Sequence, residues 1–164
     1  MEIGAHLLAT ASLADYTRVG LLLPELRERD TAGVIGELSQ LLQRAGCVPD
    51  VLPFYHTALN QELLNNSALA CGLAFPHARL SGIKQLHFAL GRAPAPITWA
   101  AKGAWPVQLV FLIAVPATDA AGYLRLLASL SKLGQTPALL HELRRASHGP
   151  GMLAVLEKVG LRNG

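Results

Sequence analysis

The chain has little charge and few aromatic side chains: 15% of its 164 residues are Asp, Glu, Lys or Arg, and 5% are Phe, Trp or Tyr. Low charge beside 51% hydrophobic residues excludes a disordered chain, because there is ample apolar surface to offset the entropy of ordering. Long apolar runs are missing too. The longest, Val107 to Val115, is interrupted by Gln108 and is too short to cross a bilayer, so no membrane span is expected. The N-terminus, Met1-Glu2-Ile3-Gly4-Ala5-His6, lacks the charged-then-apolar order of a secretion signal, and a cytoplasmic location is expected. Cysteine is scarce. Cys47 and Cys71 are the whole complement, without metal-ligand spacing, and both are expected to be buried small hydrophobes. No carboxylate and histidine set stands at ligand spacing, so neither a metal site nor a cofactor is expected. A formal charge of +3 invites nucleic acid as a partner, but the basic residues are scattered. The tightest pair, Arg144-Arg145, ends an expected helix, where cations suit the dipole. No groove-reading helix or stacking surface is evident, so no nucleic acid is expected, and the balance fits an acidic protein partner better.

What is present fits one domain with a sizeable core. Residues 1–17 are small and weakly patterned and are expected to form a mobile segment ahead of a domain over residues 18–160. Arg18 to Leu23 reads as a first strand stopped by Pro24. Asp30 is placed to cap a helix carrying Val34, Ile35, Leu38, Leu41, Leu42 and Ala45 on one face, with Gly46 as its stop. Asp50 opens a second helix, whose inner side is expected to carry Leu52, Tyr55, Leu59 and Leu63 until Asn65-Asn66-Ser67 breaks the pattern. Leu86 to Leu90 alternates as a strand, and Pro94-Ala95-Pro96 demands an irregular loop ending near Trp99. Val107 to Val115 is the most apolar strand and is expected at the centre of the sheet. After Asp119 comes a helix with Leu124, Leu127, Ala128 and Leu130 at helical spacing. Thr136-Pro137 caps another, Gly149-Pro150-Gly151 reads as a helix-to-helix turn, and Pro150 starts the last helix. Strands and helices alternate with connections of very different length, which predicts an α/β single domain with a mixed sheet.

The chain is organised around Ala70-Cys71-Gly72-Leu73-Ala74-Phe75-Pro76-His77-Ala78-Arg79. Leu73 to Phe75 is short and apolar enough for a buried strand, and Pro76, which has no N–H to give a ladder, is expected to end it. His77 then falls just past a strand end, within reach of solvent or a partner. Residue pattern alone leaves open a polar turn in which His77 is incidental. Among the other histidines, His56 reads as a surface residue, His87 as a satisfied sheet residue, and His6, His141 and His148 lie in exposed-looking segments.

Gly72-Leu73-Ala74-Phe75-Pro76-His77-Ala78-Arg79 resembles the G-[IV]-A-[IVF]-P-H-[AGT]-R segment of the enzyme IIA domains of the fructose, mannitol and nitrogen-regulatory branch of the bacterial phosphotransferase system. The resemblance extends from about Val19 to Lys158. Gly91-Arg92 matches a Gly-Arg turn, Pro106 to Pro116 a Pro-Val-x-Leu-Val-Phe-Leu strand ending in Pro, and Tyr123 to Leu130 a helix patterned H-L-x-x-L-x-x-L. The resemblance implies a mixed sheet of about five strands flanked by helices on both sides. It also implies that His77 accepts a phosphoryl group from an HPr-type phosphocarrier and passes it to a IIB domain or a regulatory target protein. No fused IIB or membrane IIC segment is seen, which makes the nitrogen-regulatory type the closer analogue. Two supporting positions differ from the family. Gln61, in Asn60-Gln61-Glu62, stands where the family has the arginine of an E-R-E segment, and Tyr123 stands at the family's helix histidine. A neutral amide or phenol supplies about half the strength of a charge-assisted bond and no net charge. Arg79 shares a side with His77 in extended structure and can supply a cation; Arg125, two positions along a helix from Tyr123, is turned away. A half-buried Tyr123 with a wet hydroxyl is the other reading of that residue. For the protein as a whole, the alternative is a phosphorylation-impaired regulatory protein-binding module of the same fold.

Overall fold

In the computed structural model, which describes residues 11–100 and 104–161, five strands form one sheet. They are β1 (Leu22–Leu23), β2 (Leu73–Ala74), β3 (His77–Leu80), β4 (His87–Ile97) and β5 (Val107–Pro116). The order is β1-β4-β5-β2, and β3 also pairs with β5. β1 is parallel to β4, β4 antiparallel to β5, and both β2 and β3 are parallel to β5, so the sheet is mixed. β5 is central, as its sequence predicts. Its side chains alternate between two cores: Leu109, Phe111, Ile113 and Val115 enter one, Val110, Leu112 and Ala114 the other. A strand covered on both faces needs apolar residues at every position, which is why this run carries no polar alternation.

Helices α1 (Thr31–Arg44) and α2 (Val51–Leu64) cover one face; α3 (Ala120–Gly134), α4 (Pro137–Arg145) and α5 (Gly149–Leu156) cover the other. The Asp30 carboxylate accepts from the Gly33 N–H at 2.7 Å, α1 buries Val34, Ile35, Leu38 and Leu42, and Gly46 leaves the helix at φ 80°, a conformation open to glycine at little cost. Asp50 caps α2 as expected, and Tyr55 and Leu59 pack against the core as expected, but the other two residues of the expected face do not. Leu52 is 61% and Leu63 51% exposed, while Phe54, Ala58 and Glu62 are buried. On α3 the buried residues are Gly122, Leu126, Ser129, Leu130 and Leu133, and Leu124 faces solvent.

Several turns differ from expectation for identifiable reasons. Arg18 to Leu23 is a 3-10 turn over Val19–Leu21, leaving only Leu22–Leu23 as strand. Gly91-Arg92 is not a turn: β4 runs through it, pairing Gly91 with Val110 and Arg92 with Leu109. The glycine serves close approach, since a Cβ there would lie 2.5 Å from Leu26 Cδ2. Pro94-Ala95-Pro96 stays in the strand, and a register shift between Arg92 and Ile97 absorbs the missing N–H groups. Gly149-Pro150-Gly151 is the first turn of α5 rather than a linker, capped by His148 Nδ1, which accepts from the Gly151 N–H at 3.0 Å. Thr136 does not cap α4 with its side chain; its hydroxyl donates to the Lys132 carbonyl.

Of the segment expected to be mobile, residues 1–10 lie outside the described residues, and residues 11–17 are packed. Ser12 and Asp15 form a reciprocal cap, Leu13 is fully buried, and its N–H donates to the Val159 carbonyl at 3.0 Å. Cys47 is buried, whereas Cys71 is only half-buried.

Candidate functional site

The edge of β5 opposite β4 carries one strand in two pieces. β2 pairs with Leu109 and Val110, and β3 with Ile113 to Pro116, all in the same parallel sense. Pro76 therefore interrupts the edge instead of ending it, and His77 opens the second piece. The interruption is bridged on both sides. The Pro76 carbonyl accepts from the Ile113 N–H at 2.9 Å, and the Phe75 N–H, on the side of the strand away from β5, donates to Ser67 Oγ at 2.7 Å. Alternation then sorts the side chains: Ala74 and Ala78 enter the core under α1 and α2, Leu73 and Phe75 the core under α3. His77 and Arg79 continue the second set at the carboxyl end of the sheet.

α3 begins just after β5 ends. Asp119 caps it by accepting from the Gly122 N–H at 3.0 Å, and one turn later Tyr123 stands over the strand ends. Its Oη lies 3.1 Å from His77 Nδ1, and the two rings are 4.7 Å apart at a 35° tilt. Gln61, His77, Arg79, Val115 and Tyr123 line one pocket of about 310 Å³. All four candidate residues named from the sequence thus meet in one place, drawn from α2, β3 and α3. Arg125 is exposed on α3.

Burial depresses the His77 pKa below the ordinary histidine value, with Arg79 acting in the same direction and the Phe75 backbone and Glu62 opposing. Tyr123 is pushed up to about 12, chiefly by burial and further by Glu62. At neutral pH the pair is therefore a neutral imidazole beside a neutral phenol. Among the described residues no group of three or more His, Cys, Asp or Glu side chains is arranged to hold a metal ion.

Glu62 is the residue that sequence reasoning missed. It is 2% exposed, on the inner face of α2 next to Gln61. Its carboxylate accepts from Trp99 Nε1 at 2.6 Å, from the Ser67 N–H at 3.0 Å and from the Ser67 hydroxyl at 2.8 Å. The available signal was Trp99, whose indole N–H needs an acceptor once buried. Of the other histidines, His56 is exposed with its ring against Tyr55, and His141 and His148 are exposed. His87, expected as a satisfied sheet residue, interacts with the Gln85 backbone, while its buried Nδ1 has no hydrogen-bond partner among the described residues.

The sequence and the fold have counterparts among known proteins. A nitrogen regulatory protein of Bradyrhizobium diazoefficiens is 28% identical over 102 residues, covering 62% of this chain and 67% of that one. The fructose-specific EIIABC component of Bacillus subtilis is 25% identical over 135 residues; the match takes in 81% of this chain but only 21% of that larger protein. The crystal structure of the nitrogen regulatory protein IIA-Ntr from Neisseria meningitidis superposes with a TM-score of 0.72 at 26% identity, over 88% of this chain and 98% of that one. Escherichia coli enzyme IIAMtl, solved in complex with phosphorylated enzyme IIBMtl, shares the fold with a TM-score of 0.70 at 14% identity, over 84% and 94% of the two chains. The model of the phosphoenolpyruvate-dependent sugar phosphotransferase system EIIA 2 family matches residues 20–159. With the broken edge strand, the strand-opening histidine and that match in agreement, the chain belongs to the EIIA 2 family.

Proposed function

We propose that this protein is a cytoplasmic phosphocarrier of the phosphotransferase system that accepts a phosphoryl group on His77 from an HPr-type protein and passes it to a IIB domain or a regulatory target. The observation that carries this reading is the 3.1 Å contact between Tyr123 Oη and His77 Nδ1. When Nδ1–H donates to the phenol oxygen, Nε2 carries the free lone pair and is the nucleophile. The depressed pKa keeps that lone pair unprotonated near neutral pH. In transfer, the bond from phosphorus to the donor breaks with its electron pair staying on the donor, and the Nε2 lone pair forms the new N–P bond. Arg79 is the cation lining the pocket, available to offset the charge of the phosphoryl oxygens. The E. coli mannitol proteins solved as a IIA–IIB complex support a IIB-type recipient.

A second reading rests on Gln61 and Tyr123. Both are neutral where the family pattern has arginine and histidine, so the pocket grips a dianion more weakly. That favours a regulatory module in which phosphorylation is impaired. The deciding experiment is labelling by a phosphoenolpyruvate-driven HPr system. Acid-labile label on the wild type that disappears in His77→Ala supports the carrier. Label that survives the substitution moves the acceptor elsewhere, and an unlabelled wild type supports the module.

A further inference from the structure

We propose that Glu62 is the positioning residue of this site: through Ser67 it fixes the Phe75–Pro76 backbone that delivers His77 to Tyr123, and its unpaired charge makes phosphorylated His77 a ready donor. The second half rests on the phosphocarrier reading; the first does not.

The geometry is a relay. Trp99 Nε1, the Ser67 N–H and the Ser67 hydroxyl all point at one carboxylate, at 2.6, 3.0 and 2.8 Å. Toward all three donors the Glu62 side chain acts as the acceptor. Because Ser67 gives its proton to Glu62, its oxygen is free to accept from the Phe75 N–H at 2.7 Å. That N–H lies on the outer side of the edge strand, facing away from β5, immediately before Pro76. The relay thus ties the outer side of the strand to α2 and sets the path of the chain into His77.

Among the described residues the charge is met by hydrogen-bond donors and not by a cation. Among the described residues the one salt bridge joins Lys158 to Glu142, and no cation pairs with Glu62. The neighbouring position on α2, which would carry arginine in the family pattern, holds Gln61. A phosphoryl dianion on His77 would therefore feel the field of the buried Glu62 carboxylate, which lies behind the pocket and already acts on the His77 ring, with Arg79 as the pocket's cation. Repulsion raises the free energy of the phosphorylated state. It favours departure, in which the N–P bond breaks with its electrons returning to Nε2 and the acceptor's lone pair bonds to phosphorus. If water is the acceptor, its proton passes to solvent or to the imidazole.

Two measurements on the folded protein separate the halves. The first is an NMR titration of the His77 ring in the unphosphorylated wild type, Glu62→Gln, Ser67→Ala and Trp99→Phe. Removing the carboxylate charge should lower the His77 pKa by about half a pH unit or more. Ser67→Ala should change the ring's tautomer populations. Trp99→Phe, which removes a donor but leaves the link to Phe75, should leave the His77 titration where it is. If Glu62→Gln does not fold, Ser67→Ala decides this half. Identical His77 titrations and tautomers in all four proteins overturn the positioning role. The second measurement labels wild type and Glu62→Gln with phosphoramidate and follows loss of label. A phosphohistidine about threefold to tenfold longer-lived in the variant is expected. Equal lifetimes overturn the donor role. A wild type that takes no label defeats the phosphocarrier reading and with it the donor half, while the titration still decides the positioning half.

Discussion

Helices α1 and α2 are equal in length, at 14 residues each, are both capped by aspartate and lie on the same face of the sheet, yet they are built for different tasks. α1 presents a conventional stripe, with Val34, Ile35, Leu38 and Leu42 all at 0% exposure. α2 gives one of its inner positions to Glu62 and turns Leu52, Leu63 and Leu64 outward. Apart from Thr31 and Ser39, α1, which only covers the core, gives its inward positions to hydrocarbon. A helix that also supports a site has to place a carboxylate inward, and the phase of the whole helix follows that choice.

The largest effect that would break this comparison is on stability. Leu38→Ala should cost about 2–5 kcal/mol, and Leu63→Ala, the same change on α2, should stay within about 0.5 kcal/mol, both read from denaturant unfolding. A cost at Leu63 as large as that at Leu38 would mean that the leucine stripe of α2 faces inward after all.

The outer face of α2 offers the next test. Gln61→Arg combined with Tyr123→His should raise the rate of His77 phosphorylation by about tenfold to a hundredfold, corresponding to about 1.5–3 kcal/mol from a charge-assisted bond. A fast wild type with no gain in the double variant would show that Arg79 suffices. Tyr123→Phe should lower the labelling rate by about tenfold through loss of the tautomer-setting oxygen, at a stability cost of about 1 kcal/mol or less. Equal labelling rates with and without the hydroxyl would reduce Tyr123 to a packing residue.

The smallest effect concerns pH. Burial lowers the pKa of both His77 and His87 from 6.5, so the unfolded chain takes up protons first as pH falls. The stability contributed by the neutral rings is fully present above about pH 6.5 and is lost as pH drops through the folded-state values. His77→Gln and His87→Gln should each flatten the loss of unfolding midpoint between neutral pH and about pH 5. A slope unchanged in both variants would place the acid sensitivity elsewhere.

The parts legible in the sequence were those where a local rule and the tertiary demand agree. Asp30 and Asp50 cap helices because a short carboxylate reaches the first free N–H groups in any context. β5 announced its central place because only a strand covered twice is apolar throughout. The convergence of Gln61, His77, Arg79 and Tyr123 followed from the family pattern. What stayed hidden depended on distant partners. Gly91-Arg92 and Pro94-Ala95-Pro96 look like breaks, but Leu26 packed on Gly91 and a register shift against β5 keep the strand going. Glu62 carried no local mark of its role because its donors, Ser67 and Trp99, lie five and 37 positions away.

The interruption at Pro76 also bears on self-association. An exposed sheet edge is a template on which a second chain can add a strand, and long unbroken edges are where such growth starts. Here neither outer edge offers a long run: β1 is two residues, and the other edge is split into pieces of two and four by a proline with no N–H to give. The break that sets His77 in place is therefore also a guard against fibril-like stacking. Replacing Pro76 with a residue that restores the N–H would trade a well-placed imidazole for a longer adhesive edge.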